Sequence, residues 1–298
     1  MTLNSGQASM AEEWLRKTTR PVKMAQVDTT APNVARVWNY LVGGRDNFEV
    51  DRRAARQLTG VCPALSEAGA AARAFHRRVV RFLAEAGIRQ FVDIGTGLPA
   101  AGNTHEIAQD VAPQSRIVYV DNDPIVLSHA RALLTSCPEG ATSCIEADAR
   151  EPEMIIEEAR LTLDLGQPVA VILIGILNFI TDAVMAAEIV RTLRDSIAPG
   201  SYMAIMQPAS DLDPAMAEAA LRWNQMAPTQ VALRSRPEVA AWADGLELLE
   251  PGVVQVPLWR PDERRPDERR PDKEQPPEAE PPRVMPLYGF VARKGEAR

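Results

Sequence analysis

The chain has 298 residues, 46% hydrophobic and 24% charged, a balance that allows one α/β-sized core and confines disorder to local stretches. A formal net charge of -7 excludes a general nucleic-acid binder, since non-specific affinity rests on Lys and Arg neutralising phosphates; a local basic face is left open. Cys62, Cys137 and Cys144 are odd in number and lack metal-site spacing, so they read as reduced thiols of a cytoplasmic protein without a metal. With no apolar run of about 18 residues and no secretory h-region, a soluble protein without membrane contact is expected.

Residues 1–30 mix Ser, Thr, Gln and charge and are expected to form a flexible arm. Residues 31–87 are helical in pattern, with apolar spacing in ARVWNYLV and ARAFHRRVVRFLAEAG, the latter ended by Gly87. Between them GGRDNF makes a turn, and Asn47 is a candidate cap for the following helix. From residue 88 short apolar runs alternate with helical stretches. The predicted strands are QFVDI, RIVYVD, TSCIEAD, VAVILIGIL and GSYMAIMQ, with PIVLSHARALL and DAVMAAEIVRTLRDSI among the helices. Such alternation means parallel βαβ units, and the unalternating VAVILIGIL suits a central strand covered on both faces. GLELLEPGVVQV and MPLYGFVARK supply two further strands. Residues 260–283 repeat the pentad RPDER at a proline density that rules out a helix interior or central strand, so a disordered insertion is expected there.

The chemistry concentrates in FVDIGTGLPAAGNTHE. Gly95, Gly97 and Ala100 satisfy the spacing of a dinucleotide-binding turn. Asp93 ends the first strand, Asp121 the second and Asp148 follows the third, and in an open parallel sheet these strand ends line one crevice. An acid after the second strand can accept both ribose hydroxyls and one after the third an adenine amino hydrogen, which together describe an adenosine. A pyrophosphate wants N–H donors at a helix start directly behind the glycines, but Pro99 has none, and Asn103 with Glu106 predicts a capped helix beginning late. A cationic methionine tail suits Asp93 instead, with open amides around Gly95 to Gly97 for its carboxylate. S-adenosylmethionine is thus the expected cofactor, and NAD the cofactor of a rival oxidoreductase reading.

ARVWNYLVGGRDNF, QFVDIGTGLPAAGNTHEIAQDVAP, RIVYVDNDPIVLSHARALL, LRDSIAPGSY and GLELLEPGVV with YGFVARK resemble the actinobacterial S-adenosyl methyltransferase family of the class I superfamily, once catalogued as a domain of unknown function. The resemblance covers most of residues 32–293. It implies a Rossmann-like, seven-stranded, mostly parallel sheet with an antiparallel last strand, helices on both faces and an N-terminal helical extension. It places residues 260–283 inside the hairpin of strands six and seven, within a cofactor-binding domain over 88–298, and makes residues 31–87 a helical cap or lid. Position 178 is Asn where the family often carries His, which puts a general base there in question.

The expected cofactor set is Asp93, Gly95, Thr96, Gly97, Asp121, Asn122, Asp148, Ala149 and Gly175, with Tyr40, Gly44 and Arg45 from the turn at residues 40–48 folding over the ligand. Arg45 is available to pair a carboxylate. Asn178 and His105 are the catalytic candidates, His105 as a group titrating near neutral pH. Phe179 is a stacking or core residue, and His76 and His129 are expected at the surface. The expected function is methyl transfer to a small-molecule acceptor, with a homodimer left open. A cofactor-binding sensor or partner subunit without transferase activity is the alternative from another class.

Overall fold

The computed structural model describes residues 28–133, 135–261 and 284–296. The expected arm and insertion therefore lie outside the described residues, apart from 28–30 and 260–261. Three helices open the chain: α1 (Val34–Leu41), α2 (Glu49–Val61) and α3 (Leu65–Glu85). Strand and helix then alternate through β1 (Gln90–Ile94), α4 (Thr104–Val111), β2 (Arg116–Asp121), α5 (Pro124–Leu133), β3 (Ala141–Glu146), α6 (Pro152–Ala159) and β4 (Ala170–Ile174). A 3-10 turn over Leu177–Phe179 leads to α7 (Ala183–Asp195), β5 (Tyr202–Pro208), α8 (Pro214–Met226) and α9 (Arg236–Ala241). The chain closes with β6 (Glu247–Leu248), β7 (Val254–Gln255) and β8 (Leu287–Arg293).

The sheet runs β3-β2-β1-β4-β5-β8-β6, with β7 also paired to β8. β1 to β5 are parallel, while β8 runs antiparallel to β5, β6 and β7. Eight strands form where seven were expected: GLELLEPGVVQV does not stay extended but splits into β6 and β7 around Pro251 and Gly252, whose φ is +83°. A proline without an N–H and a left-handed glycine both interrupt a ladder.

Strand alternation builds two cores. Phe91, Ile117, Tyr119, Ile172 and Ala204 face α1 to α4 and α8, whereas Val92, Val118, Val171, Leu173 and Ile205 face α6, α7 and α9. Since side chains two apart share a face, Asp93 lies on the same side as Phe91, toward the N-terminal helices. The chain leaves β1 toward β2 and returns to its other side as β4, so the β1–β4 boundary is the switch point where a crevice opens.

The N-terminal helices are tied down by one buried carboxylate. Asp51 is fully buried and accepts from Arg36 Nε at 2.8 Å, Phe48 N at 2.8 Å and Asn33 N at 2.9 Å. Phe48 is thus the residue that α2 caps, through Asp51; Asn47 instead donates to Asn39 Oδ1 and to the Gly44 carbonyl. Asn33 caps α1 and reaches Asp123 Oδ2 at 2.9 Å, fastening α1 to the loop behind β2.

Candidate cofactor site

Gly95 and Gly97 adopt φ of +76° and +66°, a left-handed region that favours glycine. A Cβ on Gly95 would stand 2.8 Å from the Ile176 side chain, so its absence lets the loop after β1 close against the loop after β4. The loop's amides are spent within the protein: Gly95 N and Thr96 N donate to the Val120 carbonyl at 2.8 and 3.4 Å, and Gly97 N to Asp121 Oδ2 at 3.0 Å. The expected open amides around Gly95 to Gly97 are therefore corrected. The reason lies in the neighbouring strand, whose register extends the β1–β2 ladder into the loop.

Asn103 caps α4 as expected. Glu106 accepts from the Gly102 and Asn103 amides at 2.7 and 3.2 Å, and Asn103 Oδ1 turns back to the Ala100 amide. The cap lies six residues beyond Gly97 and the helix starts at Thr104, directly after it. Neither a helix N-terminus nor free glycine amides stand where a pyrophosphate would need them.

Asp121 and Asp148 line the strand ends on the β2–β3 side. Burial pushes the Asp121 carboxyl above its ordinary range, against the amides of Asp123 and Gly97 that hold it down. Asp148 accepts from Asn122 Nδ2 at 3.1 Å and from Arg150 at 2.9 Å, so Asn122 and Asp148 meet as one polar edge. Ala149 beside them is buried. Gly175 follows β4 with φ of +73°, and Asn178 in the next turn is buried with its Oδ1 unpartnered among the described residues. Phe179 is half-buried.

On the Asp93 side lies a cavity of about 70 Å³, room for one charged head group or a few waters. Its walls include Trp38, Asn39, Arg73, His76, Asp93 and Thr104. The N-terminal helices thus contribute through α1 and α3. Tyr40, Gly44 and Arg45 do not line this cavity, and Arg45 is exposed. Gly44 serves the turn instead: a Cβ there would collide with the Asn39 side chain, whose Oδ1 receives Asp46 N at 3.0 Å and Asn47 Nδ2 at 2.9 Å.

The histidines are not where their sequence neighbours suggested. His76 is 7% exposed and touches Thr104 Oγ1 through Nε2 at 2.8 Å, while the Thr104 hydroxyl donates to Asp93 Oδ2 at 2.6 Å. It follows the inward stripe Ala72, Phe75, Val79, Val80 and Leu83 of α3, which overrides its charged neighbours. His105 is also buried, and its N–H and Nδ1 both meet the Tyr119 hydroxyl at 2.8 Å. Burial pushes its pKa down, away from neutral pH. His105 sits behind Thr104 and Tyr119 of the cavity wall. His129 is half-buried on α5. Sequence reading missed Arg73, Asn39 and Trp38; the signal for Arg73 was its place three residues before His76 on one helix face.

Strand-end acids around a β1–β4 switch point, with an antiparallel strand beside β5, define a class I, Rossmann-like methyltransferase fold. The residues present fit a donor made of adenosine and a zwitterionic, cationic tail: two acids on the adenosine side, and an acid with an unpartnered imidazole nitrogen in a small polar cavity. The chain belongs to the S-adenosyl methyltransferase family, whose model matches residues 20–294. It is an S-adenosylmethionine-dependent methyltransferase.

Similar solved structures include a DUF574 family protein from Streptomyces avermitilis, 41% identical over 90% of this chain and 100% of that one, with a TM-score of 0.81. A candidate methyltransferase from Thermobifida fusca is 38% identical over 90% of this chain and 97% of that one, with a TM-score of 0.78. An O-methyltransferase family protein from Burkholderia thailandensis, 14% identical with a TM-score of 0.51 over 98% of this chain and 71% of that one, shares the fold. Comparison with curated proteins gave no match. No helix among the described residues is long and apolar enough to cross a membrane.

Proposed function

We propose that this methyltransferase acts on a small-molecule acceptor in the cytoplasm, using residues 31–87 as a cap on a catalytic domain over 88–298. The observation that carries this is a partly open cavity walled jointly by the N-terminal helices and β1, at the same end of the sheet as the strand-end acids Asp121 and Asp148. The net charge of -7 argues against nucleic acid as the acceptor. Three unpaired cysteines agree with a reducing compartment, and the Streptomyces and Thermobifida relatives with an actinobacterial source.

In this reading Asp121 holds the ribose hydroxyls, and Asn122, Asp148 and Ala149 surround the adenine. Asp93, Gly95, Thr96 and Gly97 flank the methionine end, and Gly175 faces them from just after β4. When bound, S-adenosylmethionine supplies an electrophilic methyl group. The chain's part is alignment, which for well-oriented groups is worth up to about 7–11 kcal/mol. Asn178 is our candidate to accept a hydrogen bond from the acceptor, on the support that it follows β4 and its buried carbonyl oxygen has no partner among the described residues.

The test is transfer of a labelled methyl from S-adenosylmethionine into a fractionated metabolite extract. Label in one small-molecule fraction, lost on Asp121→Ala, is expected; tight binding of S-adenosylhomocysteine with no transfer to any pool would leave a sensor. Calorimetry with NAD as the control is expected to give no saturable heat.

A further inference from the structure

We propose that α3, from the N-terminal cap, reads the α-amino-acid end of the methyl donor: Arg73 pairs its carboxylate, and His76 Nδ1 with Asp93 accepts from its ammonium. The inference rests on the donor assigned above and adds to it which side chains recognise the part that distinguishes the donor from simpler adenosines.

The carboxylate cannot be served by the amides of Gly95, Thr96 and Gly97, which already donate to Val120 and Asp121. Arg73 lines the same cavity and makes one hydrogen bond to the described residues, from NH2 to the Leu98 carbonyl at 3.0 Å. A guanidinium carries five N–H donors in a planar fork matched to a carboxylate. Burial lowers the Arg73 pKa while the charge of Asp93 supports it, without a direct ion pair between the two. Its cationic form is thus short of a close counter-charge. An entering carboxylate would supply one.

The ammonium half follows from counting protons. Thr104 has a single hydroxyl hydrogen, given to Asp93 at 2.6 Å, so its 2.8 Å contact with His76 Nε2 must be one it accepts. In a neutral ring the His76 proton therefore sits on Nε2, which also stands 3.6 Å from Asp93 Oδ2. Nδ1 is then a bare acceptor, enclosed by the protein and with no partner among the described residues, on a side chain that lines the cavity and is more than nine-tenths buried. An unmet acceptor and the Asp93 carboxylate on the walls of one cavity call for a group with several N–H donors and positive charge, and an ammonium has three. Arg45, the sequence candidate for the carboxylate, is exposed and off the cavity.

The test is calorimetry on the full chain with S-adenosylhomocysteine, its decarboxylated counterpart S-adenosyl-3-thiopropylamine, and 5′-methylthioadenosine, which lacks both charged groups. Arg73→Met is expected to weaken S-adenosylhomocysteine about 10- to 100-fold, as for hydrogen bonds to a charged group, and to leave the other two unchanged. His76→Gln keeps a donor for Thr104 and removes Nδ1; it is expected to weaken both amine-bearing ligands and spare 5′-methylthioadenosine, which also reports that the variant is folded. Unchanged S-adenosylhomocysteine affinity in Arg73→Met, or equal losses with and without the carboxylate, would overturn the assignment. Failure of the unsubstituted protein to bind any of the three would remove the donor itself and this assignment with it, a result distinct from normal binding indifferent to Arg73.

Discussion

Replacing Asp51 by Ala tests whether the cap is a rigid wall of the cavity. The Asp51 carboxylate is fully buried, and its Oδ2 receives both Arg36 Nε and Phe48 N, its Oδ1 the Asn33 amide. Removing it strands the Arg36 guanidinium, itself 3% exposed, and orphans two amides. Breaking one side of a buried ion pair costs about 3–5 kcal/mol, a fifth or more of the roughly 5–15 kcal/mol that holds a typical domain. Asp51→Asn keeps an acceptor at the Oδ2 position but removes the charge that pairs Arg36 and turns a donor toward the Asn33 amide, so a loss of similar size, about 3–5 kcal/mol, is expected. Urea denaturation gives the totals, and hydrogen exchange shows where they fall. In Asp51→Ala, α1 and α2 are expected to lose protection before the sheet does, and cofactor affinity to fall with them because Trp38 and Asn39 sit on α1. A loss below about 1 kcal/mol, with protection in α1 unchanged, would refute the view that this carboxylate holds the cap.

Asp121→Ala is expected to weaken S-adenosylhomocysteine by about 1.5–3 kcal/mol, measured by calorimetry, through lost charge-assisted hydrogen bonds. Burial raises the Asp121 pKa, so acidification protonates it before an ordinary carboxylate; affinity should be full at neutral pH and decline as pH falls through the raised value. That decline should vanish in Asp121→Ala. Tyr119→Phe removes the oxygen that accepts the His105 N–H and meets its Nδ1, and should cost about 1–3 kcal/mol in thermal or urea unfolding. Gly95→Ala combines a left-handed residue, about 1–2 kcal/mol, with a Cβ pressed on Ile176, and is expected to lower both stability and cofactor affinity; a variant as stable as the parent would mean that the two loops are not in contact.

Features written in short-range pattern were legible in the sequence. The glycines at 95 and 97, the Asn103–Glu106 cap and the acids at strand ends each declare themselves within a few residues, and the parallel order follows from alternation. What required the fold was long-range. The Val120 carbonyl that consumes the loop amides belongs to the next strand, 24 residues or more from its donors, and no local signal marks it. His76 was obscured by the charged residues after it, although its spacing from Ala72, Val79 and Val80 carries it inward. Tyr119 reads as an ordinary strand residue until α4 lays His105 on its hydroxyl. The turn at residues 40–48 looked like a site because it gathers polar groups; most of them are occupied with one another and with Asn39.

The place of β8 has a consequence for how this chain can vary. β6 and β7 have β8 as their partner in the sheet, so the edge forms only when the chain brings Leu287–Arg293 back between β5 and β6. The entropy of closing that loop grows only logarithmically, about 0.6 kcal/mol for each doubling of its length. The join between Pro261 and Val284 can therefore lengthen by whole pentads at little thermodynamic penalty, as long as β8 returns to its register beside β5.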